Sequence, residues 1–224
     1  MKKLFIIVEG QTEAEFIKYS LLPYLGEKHG IWAVIPVIMN TSRTSKGGAL
    51  NLDRLKENAR NILNKESNIV LTTFFDFFRL HSSFYEGSDC NSKSSSDEII
   101  ACLEQHLATQ ISDRRFIPYL QKHEFEALLF SNNTGFIAYT EDCINQKTAA
   151  IIAQYSNPED INNAPETAPS KRLETLFKAC GQKYEKVVDG NLIALEIGIE
   201  NILQSCPRFR QWVECLIRNL SATT

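Results

Sequence analysis

Residues 4–8 (LFIIV) form an unbroken apolar run, the pattern of a strand buried on both faces of a parallel sheet. Behind a Glu9-Gly10 turn, Thr12 and Glu15 have capping-box spacing, and Phe16, Ile17, Leu21, Leu22 and Leu25 supply the apolar face of a helix that closes near Gly26 and Gly30. Residues 32–39 read as a second strand, in which Pro36 removes one ladder donor and favours an edge or a bulge. A polar loop over 41–48 follows, and then Leu52, Leu55, Ala59, Ile62 and Leu63 recur at helical steps. Residues 68–75 have the β-branched and aromatic content of a third buried strand, ending at Asp76. A loop over 79–93 leads to a helix from about 96 to 111, where Ser95 and Glu98 again have capping-box spacing, and residues 116–121 are a fourth strand candidate.

This alternation predicts an α/β fold, a mostly parallel sheet with helices on both faces and ligands outside the carboxyl ends of the strands. The last third differs, with helical patterns over 140–155, 171–179 and 192–220 and an Asn-, Pro- and acid-rich stretch over 156–169. The expected division is an α/β core over 1–130 and a helical C-terminal extension over 131–224 packed on it, with a single domain as the alternative. Length and composition agree with a globular chain: 224 residues, 43% hydrophobic and 23% charged. The net charge of -3 leaves room only for a local basic patch if nucleic acid is bound. The longest apolar stretch, residues 31–39, is about half of the roughly 20 that a membrane helix needs. A cytoplasmic chain without membrane partner is expected. None of the six cysteines forms a C-x-x-C pair and no two His have zinc-ligand spacing, so the expectation is reduced thiols and no structural zinc.

Three acidic segments carry the candidate chemistry. Glu9 ends the first strand and is followed by Gly10, at the place where such sheets bind ligands; Glu13 falls in the first helical turn, where the macrodipole alone would account for it. Asp76 lies inside FFDFF (74–78), where ionisation is costly without a partner or a cation. If the first and third strands are neighbours, their ends are about 4.8 to 10 Å apart and Glu9 and Asp76 can share one hard cation. In HEFE (123–126), Glu124 and Glu126 share a face on a strand but diverge on a helix, and the pattern leaves both open. Position 127 is Ala, so H-E-x-x-H zinc chemistry is rejected, and no phosphate loop, dinucleotide fingerprint or nucleophile elbow is present. Basic groups at Arg43, Lys46, Arg79, Lys171 and Arg172 are available for phosphate, against the plainer reading that Lys171 and Arg172 pair with Glu166 or Glu174. Acids at strand ends with cations nearby fit metal-assisted phosphodiester chemistry.

VEGQTE (8–13), TTFFD (72–76), PYLQKHEFEALLF (118–130), APSKR (168–172) and CPRF (206–209) resemble, in order and over nearly the whole chain, the bacterial family of unknown function called DUF4276. That family resembles the Toprim domains of topoisomerases, primases and OLD-type nucleases. The resemblance implies a Toprim-like, Rossmann-like core and a nuclease acting on DNA or RNA with Mg2+ or Mn2+, in a phage-defence or mobile-element setting beside an AAA/ABC-type ATPase. It implies Glu9 and Asp76 as the central catalytic pair, with Lys171 beside the phosphate. Glu9, Glu13, Asp76, Glu124 and Glu126 would be metal ligands, and Arg172, Arg43 and Lys46 phosphate contacts. Glu9 would match the Toprim glutamate and Asp76 the first acid of its D-x-D motif; the second acid is missing, because position 78 is Phe. A non-catalytic Toprim-like partner of the ATPase is the alternative that this departure favours.

Overall fold

The structure is a computed structural model that describes residues 2–39, 50–161, 164 and 166–222. Arg43 and Lys46 lie outside the described residues. Among the described residues five strands, β1 (Lys3–Val8), β2 (Val34–Ile38), β3 (Ile69–Asp76), β4 (Phe116–Ile117) and β5 (Leu120–Gln121), form one sheet of order β2-β1-β3-β4, with β5 also on β3. Every pairing is parallel, β1 lying between β2 and β3 with Val8 opposite Phe74. The sheet, with helices on both faces, is the α/β architecture that the alternation predicts. Pro36 sits on the edge strand β2, where a missing N–H faces no further strand.

Alternation within the buried strands assigns the two faces. Leu4, Ile6, Val8, Val70 and Phe74 point into one core, and Ile7, Ile69, Leu71 and Phe75 into the other. The second core is covered by α3 (Leu52–Lys65) and α4 (Ser96–Ile111). Ser95 Oγ accepts the Glu98 N–H at 3.2 Å while Glu98 reaches back to the Ser95 N–H, the capping box expected at that helix. The first core is covered by the helical segment after β1 and by the C-terminal helices. That segment runs through α1 (Gln11–Phe16), a π turn (Ile17–Leu21) and α2 (Leu22–His29).

The remaining helices are α5 (Thr134–Tyr139), α6 (Asp142–Ile152), α7 (Pro169–Ala179), α8 (Lys186–Ile197), α9 (Ile199–Ser205) and α10 (Pro207–Ser221). Trp212 of α10 is their anchor on the sheet. Its ring stacks on Tyr119 at 4.5 Å and on Phe74 at 5.4 Å, and its Nε1–H donates to Thr72 Oγ1 at 2.9 Å. Thr72 would otherwise be a polar group in mid-strand with no exposure. Among the described residues no helix is long and apolar enough to cross a membrane.

Three local expectations are corrected. The first helix is capped at Gly10, not Thr12: Glu13 Oε2 accepts the Gly10 N–H at 3.0 Å, while Glu15 pairs with Gln11 Nε2. The strand expected over 116–121 is split at Pro118, which has no N–H to give. Thr73 Oγ1 bridges the gap, bonding both the Tyr119 N–H at 2.9 Å and the Tyr119 carbonyl at 2.8 Å. Four of the cysteines expected as thiols are paired, Cys90 with Cys102 and Cys143 with Cys180, leaving Cys206 and Cys215 free. Their separations of 12 and 37 residues are closed by the fold and have no short-range signature.

Candidate functional site

At the carboxyl edge of β1 and β3 the chain opens a cleft of about 540 Å³, lined by Glu9, Glu13, Asp76, Phe78, Arg79, Glu124, Lys171 and Lys186 with their neighbours. Strand and turn chemistry place each acid. Glu9 leaves β1 directly above the register pair Val8 and Phe74, and Gly10 turns the chain into α1. Glu13, one helical turn later, is held by its bond to the Gly10 N–H and is almost wholly buried. Asp76 is the last residue of β3, and its Oδ1 accepts the Phe125 N–H at 2.8 Å.

The segment after β5 answers the question that HEFE left open. His123 adopts a positive φ of 66°, Glu124 is extended, and a 3-10 turn then runs over Phe125–Ser131. Because the helical turn begins between the two acids, both reach the site: Glu124 lines the cleft and Glu126 lies beneath it with no exposure. Glu124 also fastens the start of α7, its two oxygens accepting the Ser170 N–H at 2.9 Å and the Ser170 hydroxyl at 3.0 Å. A carboxylate at that position complements the positive end of the helix.

One cation joins these acids. Lys186, the first residue of α8, puts its Nζ 3.3 Å from Glu126 Oε2 and 3.8 Å from both Glu13 Oε1 and Asp76 Oδ2. Burial works against its charge, but Asp76, Glu126, Glu13 and Glu124 outweigh burial and hold the ammonium above its usual range. The acids respond oppositely. Burial raises the Asp76 carboxyl well above its normal value, Lys186 opposing and Glu13, Glu126 and Glu124 adding to the rise. Glu9 is raised by burial and then by Glu13, and Lys186 opposes. Glu126, neither of whose oxygens receives an aligned hydrogen bond, is raised by burial to about 7 in spite of Lys186. Five carboxylates around one ammonium leave the site rich in negative charge.

The expected basic residues divide. Lys171 lines the cleft, with its ammonium 2.6 Å from Glu174, the pairing weighed from sequence. Arg172 does not join the cleft: its guanidinium donates to the Thr167 carbonyl at 2.7 Å and to the Tyr155 hydroxyl at 3.3 Å, over whose ring it lies. Its position directly behind Lys171 on a helix turns it about 100° away. Lys186 is the residue of the candidate site that pattern reading misses. A helix-start cation opposed to the macrodipole is the signal that would have marked it; α8 begins there, six residues before the expected Leu192, because Asp189 Oδ2 accepts the Glu185 N–H at 2.6 Å.

Among the described residues, the group of three ligand-type side chains whose atoms fall within 4.8 Å of one another is Asp89, Cys90 and Cys102. None of these lines the cleft, and both sulfurs are in a disulfide. The cleft carboxylates are spaced around Lys186 and do not touch as a trio. Comparison with curated proteins gives no significant match. The C-terminal region of the Xanthomonas campestris pv. campestris OLD protein, a solved structure, aligns with 96% of this chain and 97% of its own, at 12% identity and a TM-score of 0.37. A family match extends over residues 8–217 and so takes in every acid of the cleft. By that match the chain belongs to DUF4276, a domain family of unknown function.

Proposed function

We propose that the cleft is the active site of a Toprim-like, metal-dependent nuclease that hydrolyses phosphodiester bonds of DNA or RNA. The observation that carries this reading is the convergence of Glu9, Glu13, Asp76 and Glu124 from separate strand ends and turns on one open cleft, with Glu126 beneath it against Lys186. The donor set fits Mg2+ or Mn2+, since hard carboxylate oxygens suit these ions and Glu126 Oε1 is buried without a hydrogen bond, Oε2 facing Lys186. Glu9, Glu13, Asp76, Glu124 and Glu126 would hold such ions, which when bound supply Lewis acidity and a water of lowered pKa.

The chain's own groups supply the rest. Glu9, at the cleft rim with a raised carboxyl, accepts the proton of the attacking water as the new P–O bond forms, and the bond to the sugar oxygen breaks with that oxygen taking a proton from solvent water. Lys171 is half exposed and tied to Glu174 by a surface pair of small worth, so it can turn to the phosphate. Lys186 holds Asp76 and Glu126 in place by charge. The test is incubation of the purified protein with plasmid, single-stranded DNA and tRNA in Mg2+ or Mn2+. Cleavage is expected, lowered about 100-fold or more by Glu9→Ala, as is typical of a lost general base. Identical products from wild type and variant would overturn the assignment.

A second reading has its own support: Lys186 already neutralises part of the acid cluster, and Phe78 stands where a second aspartate would complete a D-x-D motif. In it the chain is a non-catalytic Toprim-like partner of an ATPase, in the phage-defence or mobile-element setting that the resemblance implies. Metal titration separates the two. A cation that binds the native state raises the melting temperature with its concentration, so a flat melting temperature through millimolar Mg2+ and Mn2+ favours the partner.

A further inference from the structure

Position 78, where the expected acid is missing, carries a structure of its own. Beyond β3 the pairing with the neighbouring segment continues, the Phe77 N–H donating to the Gln121 carbonyl at 2.9 Å and the Phe78 N–H to the His123 carbonyl at 2.8 Å. Phe78 is therefore fixed by the backbone although its ring is only half-buried and lines the cleft. Arg79 follows with a positive φ of 60°, a conformation that non-glycine residues adopt at a cost and that gathers at functional sites. This turn brings the Arg79 guanidinium over the Phe78 ring, 5.1 Å from its centroid. Lys171 and Lys186 are paired with carboxylates, whereas among the described residues the Arg79 guanidinium lies against this ring. The result is a preformed aromatic and cationic surface on the wall of the same cleft that holds the acids.

Such a surface matches the π-face of a nucleobase together with its phosphate, because bases stack on aromatic rings and on guanidinium planes whatever their identity. In the interior of a duplex both faces of each base are covered by neighbours, so away from the ends this surface can be used only by an unpaired base. The cleft volume of about 540 Å³ also suits a small ligand or a single splayed nucleotide. We infer that Phe78 and Arg79 form a stacking platform for an unpaired base beside the acidic cluster, which makes single-stranded nucleic acid the substrate class. This rests on the nuclease reading for its purpose, while the platform is a statement about binding and stands or falls separately.

Binding of the full chain to fluorescein-labelled strands is measured by anisotropy with Ca2+ in place of Mg2+. The strands are a DNA strand and an RNA strand, a duplex of the same length closed at both ends by non-nucleotide linkers, and an abasic strand of equal charge. A base-bearing strand is expected to bind about tenfold tighter or more than the abasic strand and the duplex, as the usual strength of base stacking implies. Phe78→Leu, which keeps apolar bulk and is checked for an unchanged melting curve, removes that preference; Phe78→Trp restores it; and a 2-aminopurine base is quenched by the wild type and not by Phe78→Leu. Whether DNA or RNA binds tighter identifies the source of the strand. Equal binding of abasic and base-bearing strands, no effect of Phe78→Leu, or no binding of any strand overturns the platform. The same strands in Mg2+ keep the two readings apart. Cleavage of strand, duplex and abasic strand alike leaves the nuclease and removes the platform, and base-dependent binding without products does the reverse.

Discussion

Glu126 and His123, three residues apart and both buried, are shifted in opposite directions. Burial drives the His123 imidazole down to about 4, with Lys122 adding to the fall, and raises the Glu126 carboxyl to about 7. A histidine whose folded value is depressed contributes stability present above its unfolded value near 6.5 and lost as pH falls towards 4. An acid whose folded value is raised holds its proton longer in the folded state, so its contribution is present below 4.5 and lost as pH rises through 7. The Glu126 shift corresponds to roughly 3 kcal/mol across its window, and the His123 shift to less, because solvent screens that imidazole in part. The two slopes therefore oppose one another between about pH 4.5 and 6.5, where the raised Asp76 and Glu9 carboxyls add to the Glu126 side. Urea unfolding in EDTA at half-unit pH steps separates them. Relative to wild type, Glu126→Gln should tilt the profile towards stability that rises with pH across this window, and His123→Asn, which tolerates the positive φ, should tilt it the other way. Parallel pH profiles for the two variants would refute the assignment. Lys186→Met extends the same logic. It should destabilise more at pH 8, where Glu126 is ionised, than at pH 5. The loss should lie below the about 3 to 5 kcal/mol of a fully buried pair, because the Lys186 side chain is 39% exposed to water.

At the level of elements, what could be read from the pattern was whatever local periodicity determines. The strands β1 and β3 and the helices α3 and α4 appear where apolar runs and capping residues put them, since their burial pattern repeats within a few residues. The acids at the strand ends were legible for the same reason. What was hidden depends on groups distant in sequence. The start of α8, and with it Lys186, is hidden by Val187, Val188, Asp189 and Gly190, all poor helix formers. The α10 start is capped by Glu159, some fifty residues away, which accepts the Arg208 and Phe209 N–H groups at 2.8 and 3.1 Å. The tail's apolar content announced packing but not its target, which is the β3 face. Trp212→Ala should therefore cost about 3 to 5 kcal/mol in urea unfolding, as for other buried tryptophans. Trp212→Phe should recover part of this while leaving the Thr72 hydroxyl without its donor. A loss below 1 kcal/mol for Trp212→Ala would mean that α10 is not fastened to the sheet through this ring.

Across the whole molecule, two covalent links join parts that the sheet does not hold directly. Cys90–Cys102 ties the segment between β3 and α4 to the first turns of α4, and that segment begins with the cleft residues Phe78, Arg79, Leu80 and His81. Cys143–Cys180 ties α6 to the end of α7, whose opposite end carries Ser170 and Lys171 into the cleft. Each link closes a loop that the unfolded chain would otherwise leave open, of 12 and 37 residues. On the chain-entropy argument they stabilise by about 3 and 4 kcal/mol. The absence of C-x-x-C spacing spoke only against local thiol pairs, and so said nothing about cysteines that the fold itself brings together. The consequence is directly countable. Denatured without reductant, the protein should take up iodoacetamide at two of its six cysteines, Cys206 and Cys215, and at all six after dithiothreitol. Reduction should also lower the melting temperature by on the order of 10 °C. Six labelled cysteines before reduction would show that the links do not form, and the cleft wall and α7 would then depend on non-covalent packing alone.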